Sequence, residues 1–449
     1  MTVGRRKLLK SGLYLTGMIG MLPAHMSFAQ DIHDSALSKD TITEAYIYLL
    51  GRMLVIRQEH QDLGAPGAGY NVIKYNPLGS ADFVNPNLDV AYLEAWVAVD
   101  DKSTVILEVP EIRDRYYTAQ LLDEWGEVIV NINERTFPSK PFGKFALVSP
   151  AATSAVPSDA ARIELHGKKA KLLARVELKR DSAGAVALQK KFKIDVIKKP
   201  VVAPAIKIPS FTNQDLLGVE IFENVDRVLA SALDVSPAAP EMQQKVRLIS
   251  AKISKNPALR SEIDAFLHKT VVPDFKEFSL TKSAPYRNHW VGGAGAGNYG
   301  RDYRMRTVVD YAGIWGNVAS EVVYFVASRD ASEQLLDGSQ SYTITFAKDN
   351  LPSAVVDAYW SVILVGVPDF RVVPNALNRF NFNSDSSLKF EPDGALKIGI
   401  GPKLPPGVSE SNWLPSATGK PFSLTFRAYV PKAIVKAGQW APPPVERLK

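Results

Sequence analysis

Residues 91–122, AYLEAWVAVDDKSTVILEVPEIRDRYYTAQLL, contain three short runs rich in Val, Ile, Leu and Tyr, separated by turn residues. Such runs, with no helical repeat between them, are typical of antiparallel β-sheets. Four further runs continue the pattern: EVIVNI, KFALVSP, RIELHG and KLLARVEL. The sequence therefore predicts an antiparallel sheet domain, a sandwich or a barrel, between about Asp82 and Ile197.

The rest of the chain alternates helical and strand-like segments. Apolar residues at helical spacing predict one helix from Thr43 to Gln58, with Thr43 as the N-cap candidate. A proline-rich connector, Lys198 to Pro209, leads into a helical stretch from Asn213 to about Lys276. Strand-like runs then return in EVVYFVASRD, SYTITFA, AYWSVILVG, LKIGIG and FSLTFRAYV. We therefore expect a mainly β chain with helical segments.

The N-terminus has the features of a bacterial export signal. Arg5 and Arg6 precede KLLK and an apolar run from Leu13 to Leu22, which is too short to span a bilayer. The paired arginines resemble a twin-arginine signal, and the small residues of SFA predict cleavage after Ala29. We expect the mature protein in the periplasm or secreted, without stable membrane insertion. The alternatives are a plain Sec signal and an uncleaved membrane anchor.

Charge and cysteine content exclude several classes of function. The chain has a formal charge of +6, but four cations and no acid lie in the first 29 residues, so the remainder carries +2. Nucleic acids and anionic membranes are bound by clustered cations, and we expect neither as a partner. The basic stretches KLLARVELKR and KKFKIDVIKK alternate with apolar residues, which predicts half-exposed strands with a solvated face. The absence of cysteine excludes disulfides and thiolate metal sites.

The sequence supports neither a dinucleotide-binding site nor a zinc site. Gly295, Gly297 and Gly300 fit the dinucleotide-binding pattern G-x-G-x-x-G, with Glu321 about twenty residues on. That pattern works inside a parallel βαβ unit, which the surrounding sequence does not predict, so we expect a flexible or tightly turning loop. The histidines after the signal are far apart in sequence, which gives no support to a zinc hydrolase.

Oxygen-bearing side chains alternate in NPNLD at Asn85, Asn87 and Asp89. They imitate the start of a calcium loop, but Val90 and Trp96 stand where an EF-hand needs glycine and glutamate, so no metal site is predicted. If residues 90–99, 104–109 and 116–122 form an up-down-up meander, Asp89 and Arg115 share one end of the sheet. Asp123 then lies at the other end. We predict an Asp89–Arg115 ion pair, which either anchors a ligand or fixes a strand end.

The same segments resemble two bacterial domain families. NPNLDVAYLEAW, VPEIRDRYYTAQLLD and FGKFALVSP resemble DUF1254, and DYRMRTVVDYAGIWGN, AYWSVILVGVPDF and NWLPSATGKPFSLTFRAYVP resemble its usual C-terminal companion, DUF1214. The resemblance implies two antiparallel, jelly-roll-like β-sandwich domains joined by a helical region, in a protein that is usually exported and has no established general reaction. The implied segments are 1–29 (signal), 30–80 (N-terminal helical segment), 81–200 (DUF1254-like), 201–300 (helical connection) and 301–449 (DUF1214-like).

The family motifs also suggest site residues. Asn87, Asp89 and Tyr92 match the first motif, in which Val90 replaces the usual threonine and weakens a catalytic reading. Asn378 and Arg379 match an asparagine-rich loop of the second domain.

Our first hypothesis is an exported soluble protein that binds a small polar or saccharide-like ligand in a cleft of its sandwiches. The expected ligand contacts are Asn87, Asp89, Tyr92, Arg115, Tyr116, Asn378 and Arg379. The alternatives are a periplasmic hydrolase or lyase that uses Asp89 and a tyrosine, with Tyr92 as the candidate, and a structural envelope protein. No cofactor is indicated, and a homo-oligomer stays open.

Overall fold

All seven predicted runs of the first β region form strands. The computed structural model describes residues 37–79 and 84–449, so the predicted signal lies outside the described residues. The strands of this region are β1 (Lys74–Tyr75), β2 (Val90–Ala98), β3 (Thr104–Val109), β4 (Tyr117–Leu122), β5 (Val128–Ile132), β6 (Gly143–Val148), β7 (Ala160–Glu164), β8 (Lys169–Glu177) and β9 (Lys193–Ile197).

These strands form two sheets that pack face to face. One is five-stranded, in the order β1-β2-β8-β4-β5, and the other is four-stranded, in the order β7-β6-β3-β9. Alternate residues, such as Leu93 and Leu172 from the first sheet and Leu107 and Leu147 from the second, fill a single apolar core. The predicted β2-β3-β4 meander is wrong, because the chain crosses to the second sheet at β3 and β8 lies between β2 and β4.

The second β region repeats this architecture. Its strands are β10 (Tyr286–Arg287), β11 (Trp290–Gly293), β12 (Val322–Ala327), β13 (Tyr342–Phe346), β14 (Trp360–Gly366), β15 (Asn381–Asn383), β16 (Leu396–Gly401), β17 (Trp413–Pro415), β18 (Phe422–Tyr429) and β19 (Glu446–Arg447). A six-stranded sheet, β10-β11-β12-β18-β14-β15, packs on a four-stranded sheet, β17-β16-β13-β19. The β6–β7 and β16–β17 pairs are parallel and the other paired strands are antiparallel. The predicted mainly β fold of two sandwiches is confirmed.

Helices cover the sandwiches and connect them. They are α1 (Lys39–Leu63), α2 (Ser182–Gln189), α3 (Val225–Ala230), α4 (Ala239–Ile253), α5 (Pro257–Phe266), α6 (Val272–Thr281), α7 (Tyr303–Ala312) and α8 (Ala433–Lys436). Thr43 is not the N-cap of α1, because the helix begins earlier and the Thr43 hydroxyl donates to the Lys39 carbonyl at 2.8 Å. The side chain of Asp302 caps α7 by accepting from the Met305 N–H. No helix in the described part of the chain is long and apolar enough to cross a membrane.

The outer faces of the five-stranded and six-stranded sheets are polar, and they are buried against each other. Lys171 and Arg175 of β8 are at most 5% exposed, so the predicted solvated face of KLLARVEL is wrong. Alternation distinguished the two faces of this strand correctly, but the second sandwich and α1 cover the polar face. By contrast, β9 (KIDVI) is mostly exposed, as predicted.

The glycine motif lies in a turning loop, as predicted. It follows β11 and precedes α7, but β11 pairs antiparallel with both β10 and β12. A parallel βαβ unit is therefore not formed here, and the glycines have no dinucleotide-binding context.

Acidic side chains are buried in the turn between β4 and β5. Asp123 Oδ1 accepts from the N–H groups of Trp125 and Glu127 at 2.8 and 3.0 Å, and Asp123 Oδ2 lies 2.7 Å from His166 Nδ1. Glu124 faces Arg52 of α1 at 3.5 Å. Burial raises the pKa of Glu124 from 4.5 to about 7, although the charge of Arg52 opposes the shift.

We expect Glu124→Gln to change the pH dependence of stability. A carboxyl group with a raised pKa makes the folded state bind more protons, so its contribution favours folding at low pH and disappears as the pH rises. The window runs from 4.5 to about 7, which corresponds to at most about 3 kcal/mol. Between about pH 5 and about pH 8, the free energy of unfolding measured in urea should fall by up to about 3 kcal/mol more for the wild type than for Glu124→Gln. Exposed Glu111→Gln is the matched control, and parallel profiles for wild type and Glu124→Gln would contradict the prediction.

Candidate functional site

A cavity of about 120 Å3 lies between the polar faces of the five-stranded and six-stranded sheets. Residues of helices α6 and α7 and of the segments that flank them also line it. Its polar lining includes Asn85, Tyr92, Arg175, Tyr324, Arg427 and Tyr429, together with the hydroxyl-bearing Ser279, Ser283 and Thr425. Its apolar lining includes Leu280, Val291, Val308, Val309, Ala312 and Val326. An apolar cavity with a few convergent polar groups is the usual form of a small-molecule site.

Each sheet contributes one tyrosine–arginine pair to this cavity. Tyr92 of β2 stands opposite Arg175 of β8, and Tyr324 of β12 stands opposite Arg427 of β18. Directly opposite residues of antiparallel strands project on the same face, so the register of each sheet fixes its own pair. The Arg175 guanidinium lies 5.5 Å from the centre of the Tyr92 ring.

Backbone and amide oxygens hold the two arginines. Arg175 donates through Nη1 to Gln120 Oε1 at 2.5 Å and through Nη2 to the Trp315 carbonyl at 3.3 Å. Arg427 Nη2 donates to the backbone and side-chain oxygens of Asn85 at 2.5 and 3.1 Å. Within the described residues, neither guanidinium forms an ion pair with a carboxylate.

Asn87 orients two tyrosines, Tyr359 and Tyr429, of which Tyr429 lines the cavity. Its Oδ1 accepts from the Asp89 N–H at 2.7 Å, which fixes the amide so that Nδ2 donates to the hydroxyls of Tyr359 and Tyr429 at 2.9 and 2.6 Å. The rings of Tyr359 and Tyr429 stack with centroids 4.2 Å apart. Burial raises the pKa of both phenols, so they stay neutral. Because Tyr429 accepts from Asn87, its hydroxyl hydrogen can be donated to another acceptor.

Asp89 does not pair with Arg115. Asp89 Oδ1 accepts from the side-chain amides of Asn381 and Asn383, each at 2.6 Å, and Arg115 binds Asp181 at 2.9 Å. The two residues do share one end of the five-stranded sheet, but β8 separates their strands. Burial raises the pKa of Asp89, while the amides of Asn383 and Asn381 oppose the shift. Asp89 lines neither the cavity nor the cleft described next, so its use as an acid–base group stays a prediction without geometric support.

A second space is a polar cleft of about 710 Å3. Two further predicted contacts of the first domain, Arg115 and Tyr116, line this cleft. The Tyr116 hydroxyl donates to Glu321 at 2.9 Å, and Arg135 binds the same carboxylate at 3.0 Å. Arg115 and Arg135, two of the cations that line this cleft, are thus each paired with an acid of the protein.

The predicted residues of the second domain lie outside both spaces. Asn378 is exposed in the loop before β15 and has a left-handed backbone, with φ of 48°. Arg379 donates to the carbonyls of Glu410 and Trp413 at 2.7 and 2.9 Å, so it holds loops together. Of the seven predicted contacts, Tyr92 alone lines the cavity.

The two arginines and two of the tyrosines of the cavity were not predicted from the sequence: Arg175, Arg427, Tyr324 and Tyr429. One signal was present, since Arg175 and Arg427 are single cations inside the strand runs KLLARVEL and FSLTFRAYV. A cation in the middle of a strand either faces water or is buried for a reason, and the sequence does not distinguish these cases.

A metal centre receives no support from the described side chains, which contain no group of three or more His, Asp or Glu residues placed to hold an ion.

Comparisons with known proteins support the domain assignment. Residues 70–196 match the family described as protein of unknown function (DUF1254), and residues 321–433 match protein of unknown function (DUF1214). No curated protein matches the chain. The VPA0106 protein from Vibrio parahaemolyticus has a similar fold, with a TM-score of 0.60 and 19% identity over 91% of this chain and 99% of its own. An uncharacterized protein from Burkholderia cenocepacia aligns with a TM-score of 0.43 and 13% identity, over 94% of this chain and 92% of its own. The chain therefore belongs to the proteins of unknown function that carry a DUF1254 domain followed by a DUF1214 domain.

Proposed function

We propose that this protein is an exported binding protein that holds one small ligand, polar at one end, in the cavity between its sandwiches. The observation that carries the proposal is the cavity itself, whose apolar walls surround two tyrosine–arginine pairs. A cavity of about 150 Å3 accommodates benzene, so about 120 Å3 suits a ligand of similar size.

The way the polar groups are held also favours binding. Sheet register sets the two arginines and hydrogen bonds restrain them, so the site is formed before a ligand arrives. Preorganised groups lose little conformational entropy on binding, which favours affinity. A hydrolase or lyase that uses Asp89 would need this carboxylate to reach a substrate, and Asp89 instead lies within the contact between the sandwiches.

Export is the second part of the proposal, and it rests on the sequence. Arg5 and Arg6, the short apolar run after them and the small residues up to Ala29 together form the pattern of a cleaved twin-arginine signal. We propose a mature protein that begins at Gln30 and acts in the periplasm or outside the cell.

One experiment tests both parts. The full chain is expressed in a bacterial host, purified from the periplasm without denaturation and analysed by native mass spectrometry. We expect the mass of residues 30–449 with one additional small organic mass, which disappears on denaturation. A bare mass under mild ionisation, in a protein that also shows no thermal shift with a broad metabolite panel, would overturn the binding function.

A matched pair of variants locates the ligand. Ala312→Phe places a ring in the cavity lining and should abolish the additional mass, because the space is too small for both. Ala376→Phe makes the same change in an exposed loop outside the cavity and should retain the ligand. Retention of the ligand by Ala312→Phe would place the binding site elsewhere.

A further inference from the structure

Six cations are buried in the described part of the chain: Arg52, Lys169, Lys171, Arg175, Arg306 and Arg427. Four of them have a carboxylate partner. Arg52 faces Glu124, Lys169 binds Glu59, Lys171 binds Asp62 and Glu94, and Arg306 binds Asp234. The exceptions are Arg175 and Arg427, the two that line the cavity.

An unpaired buried charge is costly, so its presence requires an explanation. The tyrosines around the cavity do not neutralise the two arginines, because burial raises the pKa of Tyr324 and Tyr429 and keeps both phenols neutral. The charge of Arg427 does act on Asp89, but the two form no ion pair, and Asp89 Oδ1 accepts from the side-chain amides of Asn381 and Asn383.

Hydrogen-bond donors also remain unused at these arginines. Arg427 donates only through Nη2, and Arg175 only through Nη1 and Nη2, so the Nε groups of both and Nη1 of Arg427 have no acceptor among the described residues. The hydroxyl hydrogen of Tyr429 adds a neutral donor to the same lining. The cavity thus presents cationic and neutral donors without a matching acceptor among the described residues.

We infer that the ligand is a small carboxylic acid bound as its carboxylate, with the charged group between Arg175 and Arg427 and an apolar body against α6 and α7. This inference rests on the proposed function and gives its ligand a chemical class. A carboxylate accepts two hydrogen bonds from one guanidinium and supplies a negative charge that none of the described carboxylates gives these arginines. A neutral sugar would leave both cations unpaired, and the apolar walls formed by Leu280, Val308 and Val309 favour a hydrocarbon body.

The test compares the binding of each carboxylic acid with the binding of its uncharged primary amide. Any ligand that co-purifies with the mature protein is first removed by unfolding and refolding. The protein is then titrated by calorimetry with straight-chain carboxylates from butanoate to octanoate and with benzoate. Each acid is run beside its primary amide. We expect at least one acid to bind with a Kd below about 1 mM and its amide to bind at least about tenfold more weakly.

Equal affinity of acid and amide, or a neutral ligand found by native mass spectrometry, would overturn this inference and leave the binding function standing. A protein that carries no ligand and binds neither series would overturn both.

Variants distinguish a role of the arginines in ligand binding from a role in stabilising the fold. Arg427→Met and Arg175→Met should each weaken binding of the acid by about tenfold or more and change binding of the amide little. Arg379→Met, which lies outside the cavity, is the control and should bind the acid as the wild type does.

Stability of the ligand-free protein gives a readout that needs no ligand at all. Because no described carboxylate pairs with Arg427, Arg427→Met should keep or raise the melting temperature of the ligand-free protein. A large fall in melting temperature, equal to that of a variant at the paired Arg306, would show that Arg427 serves the fold and would overturn the inference.

Discussion

Arg306→Met is expected to lower the free energy of unfolding by about 3 to 5 kcal/mol. Arg306 lies on α7 and forms a two-point contact with Asp234, with both N–O distances at 2.9 Å. The side chains are 1% and 0% exposed. Burial works to raise the pKa of Asp234, but the hydrogen bonds and charge of Arg306 prevail and lower it, so the pair is ionic. Methionine fills part of the space and leaves the carboxylate buried without its counter-charge.

Neighbouring groups prevent the Asp234 carboxylate from compensating for the loss of its contact with Arg306. Tyr48 donates to Asp234 Oδ2 at 2.8 Å and the Ser236 N–H donates to Oδ1 at 2.9 Å, which fixes the carboxylate in place. The guanidinium also lies over the Trp125 ring, 4.9 Å from its centre. Because these contacts join α1, α7 and the connection after α3, we expect the loss to weaken the packing of helices on the sandwiches as well.

Urea unfolding at neutral pH measures the effect. Arg301→Met is the matched control: Arg301 is 66% exposed, it meets Glu241 at 3.4 Å, and its loss should cost less than about 1 kcal/mol. The double variant Arg306→Met/Asp234→Asn should recover at least about 1 kcal/mol, because it removes the stranded charge. Equal losses for Arg306→Met and Arg301→Met would contradict the role assigned to the buried pair.

Local sequence patterns predicted the strands well and the arrangement of the sheets poorly. Alternation within a run such as KLLARVEL reports that the two faces of the strand differ, which is enough to identify β8. It does not report what covers the polar face. Here that face packs against the second sandwich and α1, so Lys171 and Arg175 are buried with partners that come from distant parts of the chain.

The candidate site was predictable only where a family motif marked it. Asn85 of NPNLD and the nearby Tyr92 line the candidate cavity, but Asp89 and Arg115 were paired on the assumption that consecutive strands are neighbours. The insertion of β8 between β2 and β4 breaks that assumption. The placement of Arg175 and Arg427 in one cavity depends on two separate sheet registers and on the packing of two sandwiches, and a local sequence pattern does not specify either.

The three glycines of the G-x-G-x-x-G stretch are expected to differ sharply in their tolerance of alanine. Gly297 has a φ of +87°, and an added Cβ would lie 2.6 Å from the Val318 nitrogen and 2.7 Å from the Asn317 carbonyl carbon. These are backbone atoms, so no side-chain rotation relieves the contact. The Gly297 carbonyl also accepts from the Val128 N–H of β5 at 2.7 Å, which ties this loop to the first sandwich. Gly297→Ala should therefore destabilise the protein by about 3 kcal/mol or more.

The other two positions separate the causes of that loss. Gly300 has a φ of +58° with nothing within 4 Å of an added Cβ, so alanine meets only backbone strain and should cost about 1 to 2 kcal/mol. Gly295 meets no atom within 4 Å and has no left-handed backbone, so alanine there should change stability by less than about 1 kcal/mol. Urea unfolding of the three variants measures the series. Equal losses at all three positions would contradict the assignment of Gly297 to close backbone packing.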